Sequence, residues 1–243
     1  MKSVRLHTPQ RLAAGMAARL DPGLAGRLVG VLRKKPGEFV ALFNGDGRDW
    51  TAEIVSVEGP EGCVLRVLRG QLAATESPLA VTLVQAVGKG EIMEGCIYKA
   101  VELGVASIAP VLTERTHVKV DAGWAGKRCA RWRKVAIAAC EQSGRAVVPE
   151  IREPVELARF EPGPGTRLFL APDGDLSPGG LAAPVDGAIV LAVGPEDGYS
   201  AEEARWLGGQ GFSGLTLGPR ILRTETAGPA ALAILQARFG DLG

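Results

Sequence analysis

Residues 217–235 read "LGPRILRTETAGPAALAIL". A short apolar stretch ends there in a Gly-Pro pair. Two arginines and a carboxylate follow within a few residues, and then a long apolar segment with helical spacing begins. Pro229 lacks an amide proton and suits the first turn of a helix, which predicts a cap near Thr226 and a loop over 218–225. The loop is too rich in charge and backbone freedom for a plain connector, and it poses the question of a ligand.

The preceding segment repeats the pattern. Ala188–Val193 is a continuous apolar run, followed by "GPEDGYS" at 194–200. Ser200-Ala-Glu-Glu203 is a capping box that starts a helix over 201–207. Further apolar strands are expected at 79–86, 107–112, 167–171 and 214–217, with helices over 91–103, stopped by Gly104, and over 126–142. Strands alternating with helices argue for a mostly parallel sheet covered on both faces. The first 70 or so residues differ. Asn44-Gly45-Asp46-Gly47 between two apolar runs is a hairpin signal, and 62–68 adds a strand, so this part reads as a small β domain of the kind that can close into a barrel. The polar segment 69–78, ending in Pro78, is the expected linker, giving domains over 1–72 and 73–243.

In open α/β sheets, ligands collect at the carboxyl ends of the strands. The two Gly-Pro loops either make turns only or let a flat ligand lie against the backbone at Gly194, Gly198 and Gly218. A phosphate-cradling loop is disfavoured: no GxxxxGK[ST] is present, and Gly88-Lys-Gly90-Glu-Ile-Met93 has methionine where a dinucleotide fingerprint needs its third glycine.

Composition sets bounds on this. The chain has 243 residues, 46% of them hydrophobic, and no apolar run approaches the roughly 20 residues of a membrane span, so a cytoplasmic location is expected. Four cysteines without CxxC spacing and only two histidines argue against disulfides and against a metal centre. The net charge of +1 conceals an asymmetry: +4 over 1–72, +3 over 79–150 and −5 over 151–243. Two thirds of the chain is suited to a polyanion. The cluster Lys127-Arg128-Cys-Ala-Arg131-Trp-Arg-Lys134, flanked by Arg115, Lys119 and Arg145, is either a solvated helix face or a contact for RNA phosphates, and the basic N-terminal part favours the second reading.

The segments 89–119, 131–151, "VGPEDGYSAEE" (193–203) and "LTLGPRILRTETA" (215–227) together closely resemble the RsmE-type 16S ribosomal RNA uridine N3-methyltransferases of the SPOUT superfamily. The resemblance covers most of residues 38–235. It implies an α/β chain with an N-terminal PUA-like β-barrel that binds RNA and a C-terminal domain with a deep trefoil knot. It further implies a homodimer, S-adenosylmethionine as methyl donor, and the small ribosomal subunit as partner, with the uridine at position 1498 of its RNA as target. By the same resemblance, Leu170, Gly194, Pro195, Glu196, Gly198, Leu217, Gly218, Ile221 and Leu222 are the expected cofactor-binding residues. The family's Gly-Pro-Glu-Gly-Gly is Gly-Pro-Glu-Asp-Gly here, which places a bulkier, charged Asp197 where glycine is usual.

The N3 position of uracil is a poor nucleophile until its proton leaves. No histidine lies in the two loop motifs. Arg223 or Arg220 is the candidate for offsetting the developing negative charge, with Arg223 preferred, and Glu225 is either a catalytic carboxylate or a charge that stabilises the start of the last helix. A non-catalytic RNA-binding or ribosome-assembly factor and a ribose 2′-O-methyltransferase are the competing readings. Against the latter, "ILRTETA" replaces the Ser-Leu-Asn type segment those enzymes carry.

Overall fold

The computed structural model describes residues 4–57, 62–118, 121 and 123–243. The chain divides into two compact units, Met1–Glu76 with Cys140–Val148, and Ser77–Ala139 with Pro149–Gly243.

The first unit holds strands β1 (Arg5–His7), β2 (Ala17–Leu20), β3 (Phe39–Phe43), β4 (Arg48–Val57) and β5 (Cys63–Leu72), with the short helix α1 (Pro22–Gly26) running on into a π-helical turn. The sheet order is β1-β3-β4-β5-β2, with β1 parallel to β3 and every other pair antiparallel. The hairpin expected at Asn44–Gly47 joins β3 to β4, and Gly45 and Gly47 have φ of 94° and 78°. Alternate residues point to one side, Val40 and Leu42 on β3, Ala52 and Ile54 on β4, Leu65 and Val67 on β5. They fill a single apolar core around which the sheet curls. The ends of the sheet, β1 and β2, share no ladder among the described residues.

Glu76, in the expected linker, is a structural member of this unit. Its carboxylate accepts two bonds from the Arg145 guanidinium, at 3.0 and 2.7 Å, and one each from the backbone N–H groups of Ala146 and Val147, at 3.0 and 3.1 Å. Arg5 donates to the Arg145 carbonyl at 2.8 Å.

The second unit is a parallel sheet: β6 (Ala80–Ala86), β7 (Ser107–Leu112), β8 (Glu150–Ile151), β9 (Val155–Glu156), β10 (Thr166–Leu170), β11 (Ala188–Val193) and β12 (Ser213–Leu215). The order is β12-β10-β11-β6-β7-β8, with β9 also on β7, and every ladder is parallel. Its central strands are buried along their length, as a sheet covered on both faces requires. The helices are α2 (Ile92–Glu102), α3 (Trp124–Ser143), α4 (Ala201–Gly209) and α5 (Thr224–Phe239). Helix α4 begins with the expected capping box: Ser200 Oγ accepts the Glu203 N–H, and the Glu203 carboxylate accepts the Ser200 N–H.

Helix α5 departs from expectation. It starts at Thr224 with Arg223 as an N-cap that makes no side-chain bond, so Pro229 lies inside the helix, past its first turn. A proline there leaves the carbonyl four residues earlier without its helical donor. That carbonyl belongs to Glu225, and Lys99 Nζ of α2 donates to it at 3.4 Å. The neighbouring helix thus supplies the bond that the proline withholds.

Candidate functional site

The carboxyl ends of β10, β11 and β12 converge on a cavity of about 340 Å³. Its walls come from three chain segments, 170–172, 193–199 and 215–222, and from Thr224 and Ala227 at the start of α5. Leu170, Gly194, Pro195, Glu196, Gly198, Leu217, Gly218, Ile221 and Leu222 all line it. Strand β12 is shorter than expected and stops at Leu215, which frees Thr216 and Leu217 to face the cavity.

Backbone conformation explains two of the glycines. Gly198 and Gly218 have φ of 68° and 101°, and an added β-carbon at either would meet no atom within 4 Å. The requirement is conformational and not one of crowding. Asp197, the departure from the family pattern, is not among the positive-φ residues, so the left-handed turn falls entirely on Gly198 and the aspartate is unstrained. Its carboxylate lies 3.2 Å from His117 Nε2, and its carbonyl accepts Arg115 Nη1 at 2.6 Å.

Beneath the cavity a buried polar chain joins the two loops. Thr224 Oγ1 donates to the Gly194 carbonyl at 2.9 Å and accepts Gln85 Nε2 at 3.0 Å. Tyr199 packs edge-on against Phe169 with ring centroids 6.2 Å apart, and burial holds its phenol far above its ordinary pKa, so it serves as a neutral wall. Tyr199, Thr216, Thr224 and Ala227 also line the cavity, and the sequence pattern does not point to them. The strand-end rule points at the loops, whereas Thr224 and Ala227 belong to a helix whose start the proline disguised.

The remaining expected residues divide by placement. Arg220 lines the cavity. Arg223 does not: its side chain is 87% exposed, with Nη1 4.0 Å from Glu225 Oε1. Glu225 sits in the first turn of α5 and not in a loop, where it suits the helix dipole. Its charge, after burial itself, helps push the Cys96 thiol up to about 12.

On α3, Lys127 and Lys134 are exposed, while Arg128 lies 6.0 Å from the Trp124 ring centroid. Arg131 is paired with Glu94, its Nε 2.5 Å from the carboxylate. Arg145, expected on the RNA-facing surface, is a correction: it is 5% exposed and its guanidinium is committed to Glu76, which removes it from phosphate contact. Lys119 lies outside the described residues. Among the described residues, no group of three or more acidic, histidine or cysteine side chains is arranged to hold a metal ion, and no helix is long and apolar enough to cross a membrane.

Residues 75–236 match the family model of an RNA methyltransferase domain, and residues 28–68 that of an RNA methyltransferase PUA domain. The ribosomal RNA small subunit methyltransferase E of Buchnera aphidicola from Acyrthosiphon pisum is 31% identical over 214 residues, covering 87% of this chain and 84% of that one. Its namesake in Mycobacterium tuberculosis is 33% identical over 225 residues, covering 90% and 85%. Among solved structures, ribosomal RNA small subunit methyltransferase E from Neisseria gonorrhoeae, bound to S-adenosyl methionine, is 37% identical with a TM-score of 0.92 over 100% of both chains. A methyltransferase from Legionella pneumophila in complex with the same cofactor is 40% identical with a TM-score of 0.94, again over 100% of both. Sequence motifs, parallel-sheet topology and whole-chain likeness agree, and the chain belongs to the ribosomal RNA small subunit methyltransferase E family.

Proposed function

We propose that the protein transfers the methyl group of S-adenosylmethionine to N3 of a uridine in the 16S ribosomal RNA of the small subunit, position 1498 in the family's target. The observation that carries this reading is the convergence of Leu170, the 194–198 loop and the 217–222 loop on one cavity. Its chemistry fits the cofactor. Apolar walls from Leu170, Leu215, Leu217 and Leu222 suit a flat adenine ring, backbone groups at the glycines offer hydrogen bonds, and Glu196 and Asp197 supply negative charge near a sulfonium cation. Bound there, S-adenosylmethionine supplies an electrophilic methyl group.

The chain's own residues must hold the uracil and offset its charge as the N3 proton leaves. We assign the charge-offsetting role to Arg223, whose exposed guanidinium stands at the N-cap of α5 beside the cavity-lining residues Leu222 and Thr224. Its forked donors match the carbonyls of a planar, charge-delocalised base. Glu225 follows two residues later as the candidate carboxylate. The RNA approaches over the basic residues Arg115, Lys119, Lys127, Arg128, Arg131 and Lys134, and the curled sheet of the first 72 residues acts as the PUA-like RNA-binding barrel. Residues 73–243, apart from the stretches up to Glu76 and over Cys140–Val148 that belong to the first compact unit, form the methyltransferase domain, with the cofactor loops threaded as a deep trefoil knot and two copies assembled as a homodimer. The family resemblance supports both features.

The test has two arms. Calorimetry should register S-adenosylmethionine binding to the purified chain, and mass spectrometry should find N3-methyluridine in small-subunit RNA exposed to it but not in RNA from a deletion strain. Binding of RNA without any binding of the cofactor would instead establish an assembly factor.

A further inference from the structure

Strand β6 and the residue after it read Leu83-Val-Gln85-Ala-Val87, a buried run in which Gln85 alone has a polar side chain. Gln85 is 1% exposed, and its backbone sits in the ladder between Pro110 of β7 and Val193 of β11. The ladder would accept an apolar residue there, and burying an amide costs free energy unless its atoms are hydrogen-bonded. The bonds that hold this amide lead to the last helix.

Gln85 Nε2 donates to Thr224 Oγ1 at 3.0 Å and to the Ala86 carbonyl at 3.2 Å, and among the described residues no partner reaches Oε1. The Ala86 carbonyl makes the amide one-way: turned end for end, it would set oxygen against oxygen. Thr224 Oγ1 therefore accepts from Gln85, and its single proton is left for the Gly194 carbonyl at 2.9 Å. Pro195 has no N–H, so that carbonyl is the only polar group of the Gly194–Pro195 peptide, with which the cavity-lining 194–198 loop begins. Helix α5 leaves room for the amide at Gly228, where a β-carbon would stand 3.3 Å from Gln85 Oε1. Gln85 itself is not among the cavity-lining residues, whereas Thr224 and Gly194 are.

Resting on the function proposed above, we propose that Gln85 is a positioning residue for the cofactor. By donating to Thr224 it fixes the direction of that hydroxyl, and through the hydroxyl it holds the Gly194–Pro195 peptide in the orientation that the bound cofactor needs. It touches neither the cofactor nor the RNA.

The experiment uses the full chain, with S-adenosylhomocysteine titrated by calorimetry. Gln85→Met keeps the length of the side chain and removes the donor, and it should weaken binding by about five- to tenfold, the worth of one hydrogen bond. A residue that acts through Thr224 has little to add once that hydroxyl is gone. In a Thr224→Val background the same change should therefore cost less than about twofold more. In turnover on small-subunit particles, Gln85→Met should raise KM for S-adenosylmethionine with kcat within about twofold, as lost uniform binding requires. Gly228→Ala approaches the amide from the other side. Alanine is the better helix former, which favours the fold, yet its β-carbon presses on Oε1 and should weaken binding by about threefold or more. Gln85→Met with the parent's affinity, even at a lowered denaturation midpoint, would make Gln85 a packing residue only and overturn the proposal. A second full loss in the Thr224→Val background would overturn it too, by detaching Gln85 from Thr224. If Gln85→Met does not fold, Gly228→Ala decides, and undiminished affinity there sinks the idea. A parent chain that does not bind S-adenosylhomocysteine strikes the proposed function and this inference with it, whereas a binding parent with no effect at Gln85 strikes the inference alone.

Discussion

Thr224 Oγ1 donates to the carbonyl of Gly194 at 2.9 Å, so the first residue of the last helix holds the loop that follows a strand thirty residues earlier. The same oxygen accepts Gln85 Nε2 at 3.0 Å, and both Thr224 and Gln85 are buried. Replacing Thr224 by valine keeps the shape and strands a donor and an acceptor, a cost of about 1–3 kcal/mol. We expect Thr224→Val to lower the denaturation midpoint and weaken S-adenosylmethionine binding together, and Thr224→Ser to preserve both. Calorimetry and urea titration of the pair check this. A valine variant with full cofactor affinity would detach this hydrogen bond from the site.

Gly218 makes a different demand. Its φ of 101° is strained for any other residue, although space around a β-carbon is open. Gly218→Val should cost roughly 1–3 kcal/mol in backbone strain and should abolish S-adenosylmethionine binding, leaving the curled sheet of the first unit folded. Circular dichroism with calorimetry reads both effects, and unchanged affinity would remove the loop from the cofactor site.

For the chemistry, Arg223→Ala should lose about 100-fold or more in single-turnover methyl transfer to small-subunit particles, with cofactor affinity little changed. Raising the pH should partly restore its rate, because the uracil then loses its proton without help. Arg220→Ala is the matched comparison, since that cation lines the cavity. A near-normal neutral-pH rate in Arg223→Ala, or no rescue at high pH, transfers the role elsewhere.

The basic face of α3 is not uniform. Lys127 and Lys134 are exposed, whereas Arg131 is paired with Glu94. Neutralising the two lysines should weaken RNA binding at all sequences and flatten the salt dependence by about 0.7–0.9 log unit per lost phosphate contact. Neutralising Arg131 should do less. Filter binding across a salt series separates them, and equal effects would show that the Glu94 pair opens on binding.

Burial raises the Cys96 thiol from 9.0 to about 12 and the Cys140 thiol to about 11. Above the unfolded value of 9.0 the unfolded chain sheds these protons while the folded chain keeps them. Stability should therefore fall as pH rises from about 9 toward 11–12 and should be insensitive to these groups below that window. Denaturation midpoints against pH test the sign. At pH 8 neither thiol should react with a thiol reagent in the native protein, and rapid labelling of either would contradict its burial.

Much of this architecture is legible in residue patterns, for local reasons. Continuous apolar runs at 80–86, 107–112 and 188–193 are strands because a doubly covered sheet needs no polar face, and Ser200 with Glu203 marks a helix start by its own hydrogen bonds. Two features escape because their causes are distant in sequence. Pro229 reads as a first-turn residue, yet it sits in a helix interior because Lys99, 126 positions earlier than Glu225, satisfies the carbonyl it leaves open. Glu76 and Arg145 read as a linker acid and a surface base, yet they meet across 69 positions and bury the guanidinium. For the site, glycine and proline at strand ends identify the cavity-lining loops, while nothing local to Thr224 reveals that it joins them.

The bond from Lys99 to the Glu225 carbonyl has a consequence for exchanging parts between relatives. Helix α5 carries its own defect at Pro229, and the repair is stored on α2. The far end is stored the same way: Gln236 donates to the Gly104 carbonyl at 3.4 Å and accepts Ser77 Oγ at 2.6 Å. A chimera that imports residues 216–239 into a host without a lysine at the position of Lys99 brings the proline without its partner on α2. The transplantable module is discontinuous, comprising the loop, α5, and the α2 face that bears Lys99 and ends at Gly104.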